Sequence, residues 1–167
     1  MKIFLIGFMG SGKSSFGRKL AKSLDYEFYD MDGLVEEQVG MTIREYFQEA
    51  GEHAFREKEK SALQTTTFAE NSVIATGGGA PCYSDNMDWM NKNGITAYLS
   101  IPPKGLVERL AHGRDKRPLI KDFNDEELLN YITNKLSERE EHYNKAKFTI
   151  IGTDLTAEQF LRETGIS

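Results

Sequence analysis

The sequence holds a single cysteine, four prolines, one tryptophan and three histidines among 167 residues. Cys82 alone cannot close an intrachain disulfide, which fits a reducing compartment. With the histidines scattered at His53, His112 and His142, no zinc-ligand spacing exists. So little proline, with 15 glycines and no repeat, excludes collagen-like and low-complexity chains. No stretch reaches the ~18 apolar residues that a membrane span requires. Positive charge is also scarce: 21 Lys and Arg against 26 Asp and Glu leave −5, with a pI near 5.3. That excludes the broad basic footprint of a nucleic-acid or anionic-membrane binder. Any anion this chain handles must be met by a few placed cations.

What is present is an ordinary globular composition, 39% hydrophobic and 28% charged. A chain of this length can bury about 70% of its unfolded surface around one core, so residues 1–167 read as one domain. Met1-Lys2 and the apolar run to Met9 have the outline of a signal peptide. Gly7 interrupts that run and no A-x-A site follows, so we expect a buried first strand in a cytoplasmic protein.

Apolar runs at Ile3-Phe4-Leu5-Ile6, Tyr26 to Tyr29, Ser72 to Ala75, Ile95 to Leu99 and Phe148 to Ile151 predict five short strands. Between them lie helical patterns: Phe16, Leu20 and Leu24 four apart, then about Leu34 to Glu70 with breaks at Gly40 and Gly51. Further helices are expected at Asp85 to Asn93, Lys104 to Ala111, Asp125 to Ala146, and after Thr156 as N-cap. Alternation of this kind calls for a parallel sheet covered on both faces, an α/β fold. Ligands of such sheets sit beyond the carboxyl ends of the strands, so the residues just after each strand matter most.

After the first strand, Gly7-Phe8-Met9-Gly10-Ser11-Gly12-Lys13-Ser14 matches G-x-x-x-x-G-K-[ST], with strand before and helix after. Glycines let backbone N–H groups converge on phosphate oxygens at the positive end of a helix dipole. Lys13 can reach the β/γ-phosphates and the Ser14 hydroxyl can ligate Mg²⁺, which implies a nucleoside triphosphate. After the second strand, Asp30-Met31-Asp32-Gly33 contains D-x-x-G, but it follows Lys13 too closely for a GTPase switch, and no N-K-x-D motif exists. Asp30 and Asp32 could simply cap a helix. Read as functional, their period of two around a strand end would send one carboxylate toward the metal and the other toward an acceptor hydroxyl. After the third strand, Gly77-Gly78-Gly79 removes every side chain, so a small molecule could lie against the backbone.

These elements, with Phe55-Arg56-Glu57, Arg117-Pro118-Leu119, and Arg139 followed four residues on by Tyr143, resemble the shikimate kinases. That family lies in the nucleoside-monophosphate-kinase-like branch of phosphate-loop proteins, and the resemblance spans residue 3 to about 143. It implies a three-layer fold with a five-stranded parallel sheet in order 2-3-1-4-5 and a mobile lid at about 112–124. It implies transfer of the ATP γ-phosphate to the 3-hydroxyl of shikimate on the route to aromatic amino acids. The resemblance makes Gly10, Ser11, Gly12, Lys13, Ser14, Ser15 and Arg117 the nucleotide-binding set. It makes Ser14 and Asp30 the Mg²⁺ holders, Asp32 the substrate-binding base, and Arg56, Arg139 and Gly78 the carboxylate site. Lys13, Asp32 and Arg117 would form the catalytic group. Either Arg109 or Arg114 would stack on adenine, and residues near Thr153-Asp154 would approach it. A small-molecule enzyme acting as a monomer is expected.

Physical chemistry agrees with that assignment. A guanidinium fork suits bidentate carboxylate recognition, and phosphoryl transfer needs mainly positioning and charge neutralisation. Each arginine also has a plainer reading. Arg56 lies in a charge-rich helix where neighbouring ion pairs would account for it, and Arg139 is flanked by glutamates. A gluconate kinase of the same fold, or a nucleotide-dependent switch with no acceptor, stays open at this level. The sequence offers no partner that would make Cys82 or the histidines catalytic.

Overall fold

The computed structural model of the chain describes residues 1–113, 117 and 120–167. Strand β1 (Lys2–Ile6) leads through the phosphate loop into α1 (Lys13–Leu24). Then come β2 (Glu27–Asp30), α2 (Met31–Val39), α3 (Ile43–Thr65) and β3 (Ser72–Ala75). A 3-10 turn (Ala80–Cys82) precedes α4 (Asn86–Asn93), β4 (Ile95–Ser100) and α5 (Pro103–Ala111). The chain closes with α6 (Asp125–Tyr143), β5 (Phe148–Ile151) and α7 (Ala157–Thr164).

The five strands are parallel in the order β2-β3-β1-β4-β5, as expected. Successive side chains of a strand point to opposite faces, and β1 serves a core on each. Phe4 and Ile6 join the side covered by α2 to α6, while Ile3 and Leu5 meet α1 and α7. That is why β1 is apolar from Ile3 to Ile6 instead of alternating. Phe4 is 0% exposed and lies edge-on to Phe68 and Trp89, at 6.4 and 5.8 Å between ring centroids. Full burial of one such side chain contributes about 1.5–3 kcal/mol.

Local chemistry sets the helix ends. Thr42 and Thr156 accept from the backbone N–H groups of Glu45 and Gln159, and Asn124 forms a reciprocal capping box with Glu127. Gly51, at φ 88°, kinks α3, so its second half can be aimed independently of its first. Two boundaries differ from the sequence reading. Helix α3 stops at Thr65 rather than Glu70, because Phe68 and the residues around it cross to β3 and Phe68 packs into the core. Helix α2 starts at Met31 rather than about Leu34, because Asp30 is its N-cap, its carboxylate accepting from the Asp32 N–H at 3.2 Å. No helix among the described residues is long and apolar enough to cross a membrane. Arg114 and part of the expected lid, residues 114–116, 118 and 119, lie outside the described residues.

Candidate active site

Register brings the site together. Leu5 pairs with Ala75 and Asp30 pairs with Ala75 from the other side, so the phosphate loop, Asp30 and the glycine triplet leave the sheet at one edge. Gly12, at φ 87°, is the N-cap of α1 and starts it without a side-chain cap, where the helix lines the larger cleft. Lys13 is only 8% exposed, and its ammonium donates to the carbonyls of Gly7 at 2.7 Å and Phe8 at 3.0 Å. Burial lowers its pKa to about 8, with Asp32 and Asp30 opposing that shift and Arg117 and Arg139 adding to it. The Ser11 hydroxyl is buried without a hydrogen-bond partner among the described residues, inside the loop that phosphate would enter.

The Ser14 hydroxyl lies 3.2 Å from Asp30 Oδ2. Asp32, two residues on, stays accessible at the floor of the cleft although protein atoms crowd it. That desolvation, then the Asp30 charge, raises its carboxyl above the ordinary range, while Lys13 pulls it back. The capping reading holds for Asp30, whose carboxylate accepts from the Asp32 N–H. Asp30 and Asp32 both line the larger cleft beside the phosphate loop.

Across the cleft, Arg56 donates to Glu59 Oε1 at 2.9 Å, and its Nε lies 3.8 Å from Glu52. Its guanidinium covers the Tyr83 ring at 4.1 Å and the Phe55 ring at 5.1 Å. The Arg139 guanidinium stands 5.4 Å from the centre of the Phe8 ring. The glycine triplet lies between the two arginines, and its backbone needs no positive φ. Its glycines are required by space instead. A Cβ on Gly77 would fall 2.8 Å from Glu59 Oε2 and 3.0 Å from Asp32 Oδ1, and one on Gly79 would fall 2.7 Å from both Arg56 amino groups. The triplet makes room for the site's own side chains as much as for a ligand.

Two adjoining clefts follow the sheet edge. One of about 580 Å³ is lined by Lys13, Ser14, Asp30, Asp32, Gly78 and Arg117, the last exposed at its rim. A smaller one, about 150 Å³, lies between the phosphate loop and residues 152–155. Arg109 bridges them: it donates to the Thr153 carbonyl, and a Cβ on Gly12 would meet its Nη1 at 2.8 Å. The sequence left Arg109 and Arg114 as equals; the tertiary structure puts Arg109 beside Thr153 and Asp154.

The chain's likeness to known proteins is continuous over this whole arrangement. The sequence profile described as shikimate kinase matches residues 9–165. The chain belongs to the shikimate kinase family. The shikimate kinase of Bacteroides fragilis is 43% identical over 148 residues, 89% of this chain and 83% of that one. The crystal structure of the Bacteroides thetaiotaomicron shikimate kinase superposes with a TM-score of 0.94 at 35% identity, covering 99% of both chains. The Acinetobacter baumannii shikimate kinase, solved in complex with shikimate, gives 0.83 at 34% identity, covering 99% of this chain and 90% of that one.

Within this shikimate kinase fold, sequence reasoning passed over Glu59, which is 4% exposed and carries Arg56. Burial raises its carboxyl, with Arg56 holding it down. Its place three residues after Arg56 was legible, but its burial was not, because the surrounding charge run looks solvated. Cys82 is partly buried against the core, and burial raises its thiol pKa.

Proposed function

We propose that this chain phosphorylates the 3-hydroxyl of shikimate with ATP, giving shikimate 3-phosphate and ADP. The observation that carries the reading is the junction in one cleft of the phosphate loop, the Asp32 carboxylate and the bare Gly78 backbone, with Arg139 and Arg56 against the same glycine triplet, 3.6 Å from a Cβ on Gly78 and 2.7 Å from one on Gly79. The similarity to a relative that binds shikimate supports it.

The phosphate loop from Gly10 to Ser15 would hold the triphosphate, with Arg109, Thr153 and Asp154 at its base. Lys13 would exchange the Gly7 and Phe8 carbonyls for phosphate oxygens, and Arg117 would reach them from the lid. Both cations then sit where negative charge spreads during transfer. Arg56, Arg139 and the Gly78 backbone would hold the carboxylate of the acceptor, which turns the ring toward Asp32. A carboxylate kept above its ordinary pKa is a better proton acceptor, so Asp32 would take the hydroxyl proton as the oxygen attacks phosphorus.

Hard oxygen donors, one hydroxyl and one carboxylate 3.2 Å apart beside the phosphate loop, fit a Mg²⁺ ion that keeps most of its ligands as water and phosphate. Ser14 and Asp30 would hold it, and it would neutralise charge on the β- and γ-phosphate oxygens.

A coupled ADP-release assay with Mg-ATP tests this reading against shikimate, gluconate and no acceptor. The expected result is shikimate-dependent turnover of about 1–100 s⁻¹. Turnover with gluconate alone would reassign the acceptor pocket, and slow hydrolysis indifferent to either acid would leave a nucleotide switch.

A further inference from the structure

Tyr143 has no role in the reading above, yet it is 0% exposed and its hydroxyl donates to the Gly78 carbonyl at 2.5 Å. A glycine triplet has no side chains to anchor itself, so its shape depends on what grips its backbone. The Gly77 and Gly79 carbonyls accept locally, from the N–H groups of Ala80 at 3.2 Å and Cys82 at 3.0 Å. The Gly78 carbonyl is held instead by a side chain from α6. Pinning it fixes the Gly78–Gly79 peptide plane, and with it the direction of the Gly79 N–H.

The same hydroxyl interacts with the guanidinium of Arg139, one helical turn earlier. The Tyr143 ring packs on Tyr98 of β4, with centroids 5.0 Å apart, so the hydroxyl is referenced to the sheet. Burial pushes that hydroxyl's pKa well above its ordinary value, so it keeps its proton and remains a donor.

We infer that Tyr143 is a positioning residue for the acceptor carboxylate, its one hydroxyl holding Gly78 and Arg139 in a common geometry. The inference rests on the proposed reading that those two groups meet the carboxylate. Tyr143→Phe keeps the ring on Tyr98 and removes only the hydroxyl. It should raise the KM for shikimate roughly tenfold to hundredfold, as expected for a lost buried hydrogen bond, leave the KM for ATP within about twofold, and melt cooperatively. With the uncharged shikimate carboxamide as acceptor the penalty should shrink below about threefold, because the group being positioned no longer meets a carboxylate. In an Arg139→Ala background, Tyr143→Phe should add less than about threefold, since coupled residues are not additive. An unchanged shikimate KM in Tyr143→Phe, beside a raised one in Arg139→Ala, overturns the inference and spares the carboxylate reading. Equal losses for ATP and shikimate, or for shikimate and its carboxamide, overturn it as well and make the hydroxyl structural. An Arg139→Ala enzyme with normal shikimate KM overturns the carboxylate reading and the inference with it.

Discussion

On the proposed function Arg56 would have two jobs, pairing with Glu59 and gripping the acceptor carboxylate, and its removal should separate them. It is paired at 2.9 Å with Glu59, the two side chains retaining 15% and 5% exposure. Cutting a desolvated pair by deleting one partner costs about 3–5 kcal/mol, because the other charge stays buried. Arg56 keeps some water contact, so the low end applies, about 3 kcal/mol. For a domain of this size that lowers the melting temperature by roughly 6–12 °C. The loss should depend on pH. Burial already raises the Glu59 carboxyl, and Arg56 holds it down; Arg56→Ala raises it further. A carboxyl with a folded pKa above its unfolded one binds more protons in the folded state, so stability falls as pH rises through the folded value and is kept below the unfolded one. The deficit against the parent should therefore be largest near pH 8 and shrink toward pH 5. Adding Glu59→Gln to Arg56→Ala should restore most of the neutral-pH stability while leaving the shikimate KM about 10²-fold high, because the clamp is still broken. Urea unfolding at the two pH values, with kinetics on the same preparations, reads both quantities. A loss under about 1 kcal/mol, equal at both pH values, would show that the pair is solvated and the argument wrong.

Asp32→Asn should lower kcat by about 10²–10⁴-fold without lowering the melting temperature, since it removes a crowded charge beside Asp30. In the parent, kcat should fall on acidification as Asp32 takes a proton, at a pH above the ordinary carboxylate range, and a pH–rate profile of the variant should lack that limb. Lys13→Met and Arg117→Ala should each cut kcat by about 10²–10⁵-fold with the fold intact; normal turnover of either, measured by ADP release, removes that residue from the mechanism. Arg109→Ala should raise the KM for ATP roughly threefold to thirtyfold and leave that for shikimate unchanged, consistent with the loss of one stacked cation. Equal effects on both substrates would place Arg109 in the frame of the protein rather than at the nucleotide.

Much of this protein is written in local order. Five apolar runs between helical periods specify a two-sided parallel sheet, because only a strand covered on both faces can be apolar at every position, as Ile3 to Ile6 are. The phosphate loop is legible for the same reason: its spacing, its preceding strand and its following helix are all contiguous. Thr156 announces the last helix through a cap that spans only three residues. Everything that depends on contacts between distant segments was decided by the tertiary structure. The burial of Glu59 inside a charge run follows from the packing of α3 against the glycine triplet, and the period of that helix cannot reveal it. Arg109 is distinguished from its neighbours by Thr153, far along the chain, which β5 brings beside the phosphate loop. Tyr143 is legible in sequence as part of the family pattern, four residues after Arg139, but with no contact assigned to it. It becomes a clamp on Gly78 because the fold folds that helix back over the sheet edge, where a buried carbonyl requires a donor.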